Sequence, residues 1–157
     1  MVTQPEQSWV LLSYRIPREP STPRIAIWRK LKELGVAQVG DGLVALPNDA
    51  RTKEHLEWIA AQVTEANGDA IVWVANPAQR RTSGRLASEM RDARSEEYSA
   101  LVAEIVSAVD AGPRTVQKWR RDLRKIDRRD YFRAPGRDEV RQAIENHVAA
   151  LEREVQR

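Results

Sequence analysis

Residues 9–47, WVLLSYRIPREPSTPRIAIWRKLKELGVAQVGDGLVALP, decide the fold, because one short run carries a strand, a helix, a strand, a turn and a further strand. Trp9 to Ile16 is apolar and β-prone, and Pro17, Pro20 and Pro23 punctuate the segment after it. Ser21 is placed to cap a helix whose early turn accepts Pro23. Ile27, Trp28, Leu31 and Leu34 then give one apolar face, and Gly35 supplies the stop. Gln38 to Val44 reads as a hairpin, with glycines to take positive φ at its turn.

Beyond this run, Asn48 or Asp49 caps a second helix to about Ala66, with Leu56, Ile59, Ala60 and Val63 on its inner face. Asn67-Gly68 ends it, and Asp69 to Ala75 reads as a buried strand closed by Asn76-Pro77. Strand, helix, strand, strand, helix, strand is the order of a split βαβ unit. It predicts an α+β, ferredoxin-like domain over residues 8–77, four strands with two helices on one face. Gln79 to Gly84 is a polar, basic connection, and 83–157 is expected to be a helical region of three or four helices. Leu86, Met90 and Ala93 start one stripe. Tyr98, Leu101, Val102, Ile105, Val106 and Val109 form another, rotated around the axis, so a bend or break is expected near Arg94–Glu97. Asp110-Ala111-Gly112-Pro113 stops one helix and starts the next over 114–130. Ala134-Pro135-Gly136 breaks that helix, and a last one runs from about Arg137 through Ile144, Val148, Leu151 and Val155.

A chain of 157 residues with 31% charged and 41% hydrophobic content can bury a proper core as a helix-rich soluble protein. It has no cysteine, which removes disulfides, thiol nucleophiles and thiolate metal sites and fits a reducing cytoplasm. No run approaches the ~20 apolar residues of a membrane span, and Met1 to Gln7 is too polar for a signal peptide. A cytoplasmic location with no membrane contact is therefore expected. The net charge of +3 is unevenly placed: residues 79–134 hold 14 basic and 9 acidic residues, against 8 and 9 before them and 4 and 5 after. An anionic partner would be drawn to that central region.

Several motifs run together as they do in a known family. R-x-x-x-W-R-x-L-K-x-L-G is carried by Arg24, Trp28, Arg29, Leu31, Lys32, Leu34 and Gly35, and D-G-x-x-x-L-P by Asp41, Gly42, Leu46 and Pro47. With Glu97 to Glu104 and Ile126 to Phe132, these make a stretch from roughly Trp9 to Val140 that resembles the chromate-resistance regulator family ChrB, and distantly the phenylacetate repressor PaaX. The resemblance implies a ferredoxin-like architecture and a DNA-binding transcriptional regulator, or its DNA-binding part. It also implies that longer members continue into a second, carboxy-terminal domain, whereas this chain stops at Arg157.

The helix at 114–130 is the foremost candidate for function. Val116, Trp119, Leu123, Ile126 and Asp130 cluster on one side, while Arg114, Lys118, Arg121, Lys125 and Arg128 share the other. These cations repel one another with no acid on their stripe, and a polyanion would relieve that repulsion and release counterions. Double-stranded DNA is the expected partner, read by a homodimer of two-fold symmetry. Arg80-Arg81-Thr82-Ser83-Gly84-Arg85 is a second candidate: Arg80, Arg81 and Arg85 gather with two hydroxyls at a helix start. They could take a DNA phosphate or an oxyanion effector such as chromate, against the plainer reading of Ser83 as a cap.

The remaining features read as structural. Arg24 is expected to face the sheet and order the proline-rich loop, the alternative being that it points from the sheet edge toward a ligand. Trp9, Trp28, Trp73 and Trp119 fall on faces expected to be buried, whereas Trp58 points away from its helix's apolar face and calls for a covering partner. His55 and His147 belong to no metal-spacing motif, and Glu96, Glu97, Asp138 and Glu139 read as solvated or capping charges. No cofactor, metal or catalytic residue is called for. A nuclease reading, by likeness to small CRISPR-adaptation enzymes of this shape, lacks its anchor. The first strand ends Tyr14-Arg15-Ile16-Pro17, with no carboxylate before Glu19. The other alternative is an oligomerisation or adaptor module whose charges serve solubility.

Overall fold

Alternation along β1 (Trp9–Arg15) builds the first layer. Val10 and Leu12 are wholly buried and lie in register with Leu46 and Val44, also wholly buried, on β3 (Leu43–Pro47). β2 (Ala37–Gly40) pairs with the far side of β3, and β4 (Asp69–Ala75) pairs with the far side of β1. The sheet order is β2-β3-β1-β4, with every neighbouring pair antiparallel. This computed structural model describes residues 7–157, so most of the polar amino-terminal run Met1 to Gln7 lies outside the described residues.

Helix α1 (Ser21–Leu34) packs against α2 (Ala50–Glu65), and α2 lies on β1 and β4. Ser21 is the first helical residue of α1 rather than its cap; Pro20 holds the cap position, with no side-chain bond to the helix. The stop is as expected: Gly35 takes φ 70° and its N–H returns to Lys32 O at 3.0 Å. Asp49 caps α2, its carboxylate accepting from Thr52 N at 2.8 Å while Thr52 Oγ1 accepts from Asp49 N at 3.0 Å. The hairpin between β2 and β3 turns at Gly42, φ 64°, where a side chain would collide with the Tyr14 carbonyl. Mixed helix and antiparallel sheet make the chain α+β.

Two expected burials fail for one reason, that the neighbours of a strand or helix are not written in its own sequence. β4 is an edge strand, and Ile71, Trp73 and Val74 are about half exposed. Trp28 is likewise 54% exposed on α1, where only Ile27 and Leu31 are fully buried. Trp9 is buried, and its indole N–H donates to Ser83 Oγ at 2.8 Å.

The chain divides into two compact units, one ending at Ala87 and one running from Ser88 to Arg157. Helix α3 (Arg80–Ser107) carries the chain across that division as one helix, not as two joined near Arg94–Glu97. It is followed by α4 (Pro113–Arg128), with proline in its first turn, and α5 (Arg137–Val155). Tyr98, Leu101, Ile105, Val116, Trp119, Leu123, Ile126, Val140 and Ile144 build the second unit's core. Val106, Val109 and Val155, expected inside, are 74%, 83% and 86% exposed, at helix ends or in the turn beyond.

Candidate nucleic-acid interface

The core of the second unit fixes which way α4 turns. Val116, Trp119, Leu123 and Ile126 recur every three or four residues and are all buried, so the rest of the helix circumference faces outward. Trp119 meets the His147 ring edge-on at 4.9 Å, and His147 Nε2 lies 3.0 Å from the Ala111 carbonyl oxygen, which joins the start of α4 to α5.

A polar network locks the other end. Tyr98 is wholly buried, and its hydroxyl donates to Asp127 Oδ1 at 2.8 Å and Asp130 Oδ2 at 2.9 Å. Burial and these two carboxylates push its phenol well above the ordinary tyrosine range. Asp130 also accepts from Ala134 N, and Asp127 accepts from Arg137 Nε at 3.1 Å. Glu97 is not a solvated charge: Arg129 grips it bidentately at 2.6 and 3.1 Å, and Arg94 Nε lies 2.8 Å from the same carboxylate.

All members of the expected cationic stripe are exposed on α4. Arg114, Arg121, Lys125 and Arg128 have no hydrogen bond or ion pair among the described residues. Lys118 departs from the expectation. Its ammonium lies 2.7 Å from Asp122 and 3.6 Å from Glu104, which hold it charged and raise its pKa, Asp122 first. The stripe therefore presents four unpaired cations, and one that is already neutralised.

Sequence reasoning overlooked the flank beside the stripe. A groove of about 530 Å³ between α4 and α5 is lined by Arg120, Arg124, Arg137 and Arg141, with Leu123 and Ile144 beneath and Asp127 and Glu145 at its sides. Arg120, Arg124 and Arg141 are exposed and unpaired among the described residues. Arg120 and Arg124 could have been found from helical spacing, since they fall between the core face and the stripe. Arg141 comes from another helix and could not.

The second expected cluster forms differently. Arg80 opens α3, so Ser83 lies inside the helix and is bonded by Trp9 rather than capping it. Arg81 Nε donates to Gln79 Oε1 at 2.8 Å, and Arg80 and Arg85 each have partners of their own. The cluster thus lies in the first unit and the stripe in the second. Arg24 is exposed and makes no bond to the proline-rich loop. Trp58 is 65% exposed, as expected. Among the described residues no group of three or more histidines or carboxylates could hold a metal ion. No described helix is long and apolar enough to cross a membrane.

The family model described as "Protein ChrB, N-terminal" matches residues 24–111, more than half of the chain. The chain belongs to the ChrB family. Protein ChrB of Cupriavidus metallidurans strain CH34 is 30% identical over 106 residues, covering 68% of this chain and 32% of that protein. The chain thus spans about a third of its ChrB relative's length. No solved structure matches it. The ChrB match runs from the first turn of α1 to Ala111, just before α4, so the basic helix lies immediately beyond the matched segment.

Proposed function

We propose that this chain is a DNA-binding transcriptional regulator, or the DNA-binding part of one, serving chromate resistance. One observation carries the reading: Arg114, Arg121, Lys125 and Arg128 share the outer side of α4 with no carboxylate to neutralise them. Arg120, Arg124 and Arg141 extend that positive surface toward α5. Cations so placed gain by displacing the counterions of a polyanion. The ChrB membership supplies the chromate context.

The same reading takes the first unit as ferredoxin-like, which is supported by β3 lying between β1 and β2 in an all-antiparallel sheet. It takes the working form as a cytoplasmic homodimer on a two-fold site, as duplex readers commonly are. It takes the chain as a regulator rather than an enzyme.

Binding to a labelled duplex from the chain's own upstream region, against a shuffled duplex and across a salt series, tests the proposal. Preference for the native duplex, with affinity falling steeply in salt, is expected. Replacing Arg121, Lys125 and Arg128 together by alanine should reduce the slope of log K against log salt by about 0.9 per lost phosphate contact. Equal weak binding to both duplexes, unchanged in the triple variant, would leave an interaction module. Repeating the series with chromate shows whether an oxyanion is sensed within this chain.

A further inference from the structure

In the first unit, the end of β1 and the start of α1 leave a hollow of about 530 Å³ lined by Tyr14, Arg15, Ile16, Arg24, Ile25 and Trp28. Three features set it apart. Its walls are mostly apolar, and two of them are large side chains left in water: Ile25 is 44% and Trp28 54% exposed. It has guanidinium groups and no carboxylate in its lining, whereas the hollows between α4 and α5 carry acids beside their arginines. One of its two guanidinium groups is also unused. Arg24 has no bonded partner among the described residues, and Arg15 is held only by an exposed pair with Asp69 at 3.3 Å.

We propose that this hollow binds an organic anion with a flat apolar body, an aromatic carboxylate being the class that fits. The ring covers Trp28, Ile25 and Ile16, and the carboxylate pairs with Arg24. A guanidinium takes a carboxylate bidentately, and apolar walls with a few placed polar groups are the usual makeup of a small-molecule site. Tyr14 completes the polar end. Burial raises its phenol above the ordinary value, so it stays protonated at neutral pH and offers an O–H that no described residue accepts. Lys32, whose ammonium lies 4.3 Å from the centre of the Trp28 ring, holds one face of that indole and adds positive charge beside it. A bare inorganic oxyanion gains little here, because it would exchange its hydration for apolar walls. The site does not depend on DNA binding.

Calorimetric titration of the full chain with 1-naphthoate, 1-naphthalenemethanol and sulfate tests the assignment. Saturable 1:1 binding of naphthoate is expected, with the neutral alcohol at least about tenfold weaker through loss of the charge-assisted pair and sulfate at least about tenfold weaker through loss of the apolar contact. Arg24→Gln should weaken naphthoate about tenfold and leave the alcohol unchanged, while Trp28→Ala should weaken both. Arg24 and Trp28 are exposed, so both variants should keep the wild-type unfolding midpoint, which is measured alongside. No saturable binding of naphthoate, or equal affinities in wild type and both variants, overturns the proposal. So does sulfate binding as tightly as naphthoate.

Discussion

Tyr98 shows how much one side chain organises in the second unit. Its ring lies in the core while its one hydroxyl proton is shared between two carboxylates, one beyond and one near the end of α4. Tyr98→Phe should cost about 1–2 kcal/mol in urea unfolding at pH 8, the worth of hydrogen bonds to charged acceptors less what other partners retain. The pH dependence has a definite sign. A phenol whose pKa is raised on folding contributes stability that is fully present below its unfolded value of 10.0 and is lost as pH rises above it. Wild type minus Tyr98→Phe should therefore hold constant to about pH 10 and shrink progressively above it, and a difference independent of pH would remove the buried donor from the account. Glu97 is the counterpart on the acidic side. Glu97→Gln leaves Arg94 and Arg129 partly buried without their anion, and a loss of about 2–3 kcal/mol is expected by the same unfolding measurement.

Among elements, those whose causes are local were legible in the sequence. Gly35 ends α1 and Asp49 caps α2 because each acts within a few residues of itself. The burial of β4 was not legible, since an apolar strand reads alike in the middle of a sheet and at its edge, and only β1's pairing decides. The cationic stripe was legible in part: helical spacing placed it and also sets Asp122 one turn from Lys118, whereas the second acid on Lys118, Glu104, comes from α3. The α4–α5 groove needed two helices to be seen together. Two positions test this geometry at the scale of the element. Gly136, at φ 120° before α5, would set an added Cβ 2.8 Å from the Tyr98 Cβ, so Gly136→Ala should lower stability by about 2–3 kcal/mol in thermal or urea unfolding. Val74, exposed on the edge strand β4, invites edge-to-edge association. Val74→Lys should raise the concentration at which light scattering first appears while moving the unfolding free energy by no more than about 0.5 kcal/mol.

Over the whole molecule, charge rather than shape carries the functional argument. The excess of positive charge counted along the sequence falls largely on α4, where it is exposed and mostly unpaired, so composition and structure agree on that helix. Steering of this kind shows in rates. The association rate with a duplex should fall by about tenfold or more between low and physiological salt, with a smaller change in dissociation, when followed by stopped flow. A rate insensitive to salt would mean that the surface does not guide encounter.

Trp119 has an optical consequence as well as a structural one. It is the single tryptophan of the second unit, sealed in that unit's core against His147, while Trp28, Trp58 and Trp73 of the first unit all face water. Their emission should sit at long wavelength and be readily quenched by acrylamide, whereas Trp119 and the buried Trp9 should emit to the blue and resist quenching. The chain thus carries its own two-colour label, one hue for the surface of its first unit and another for the buried interiors of both.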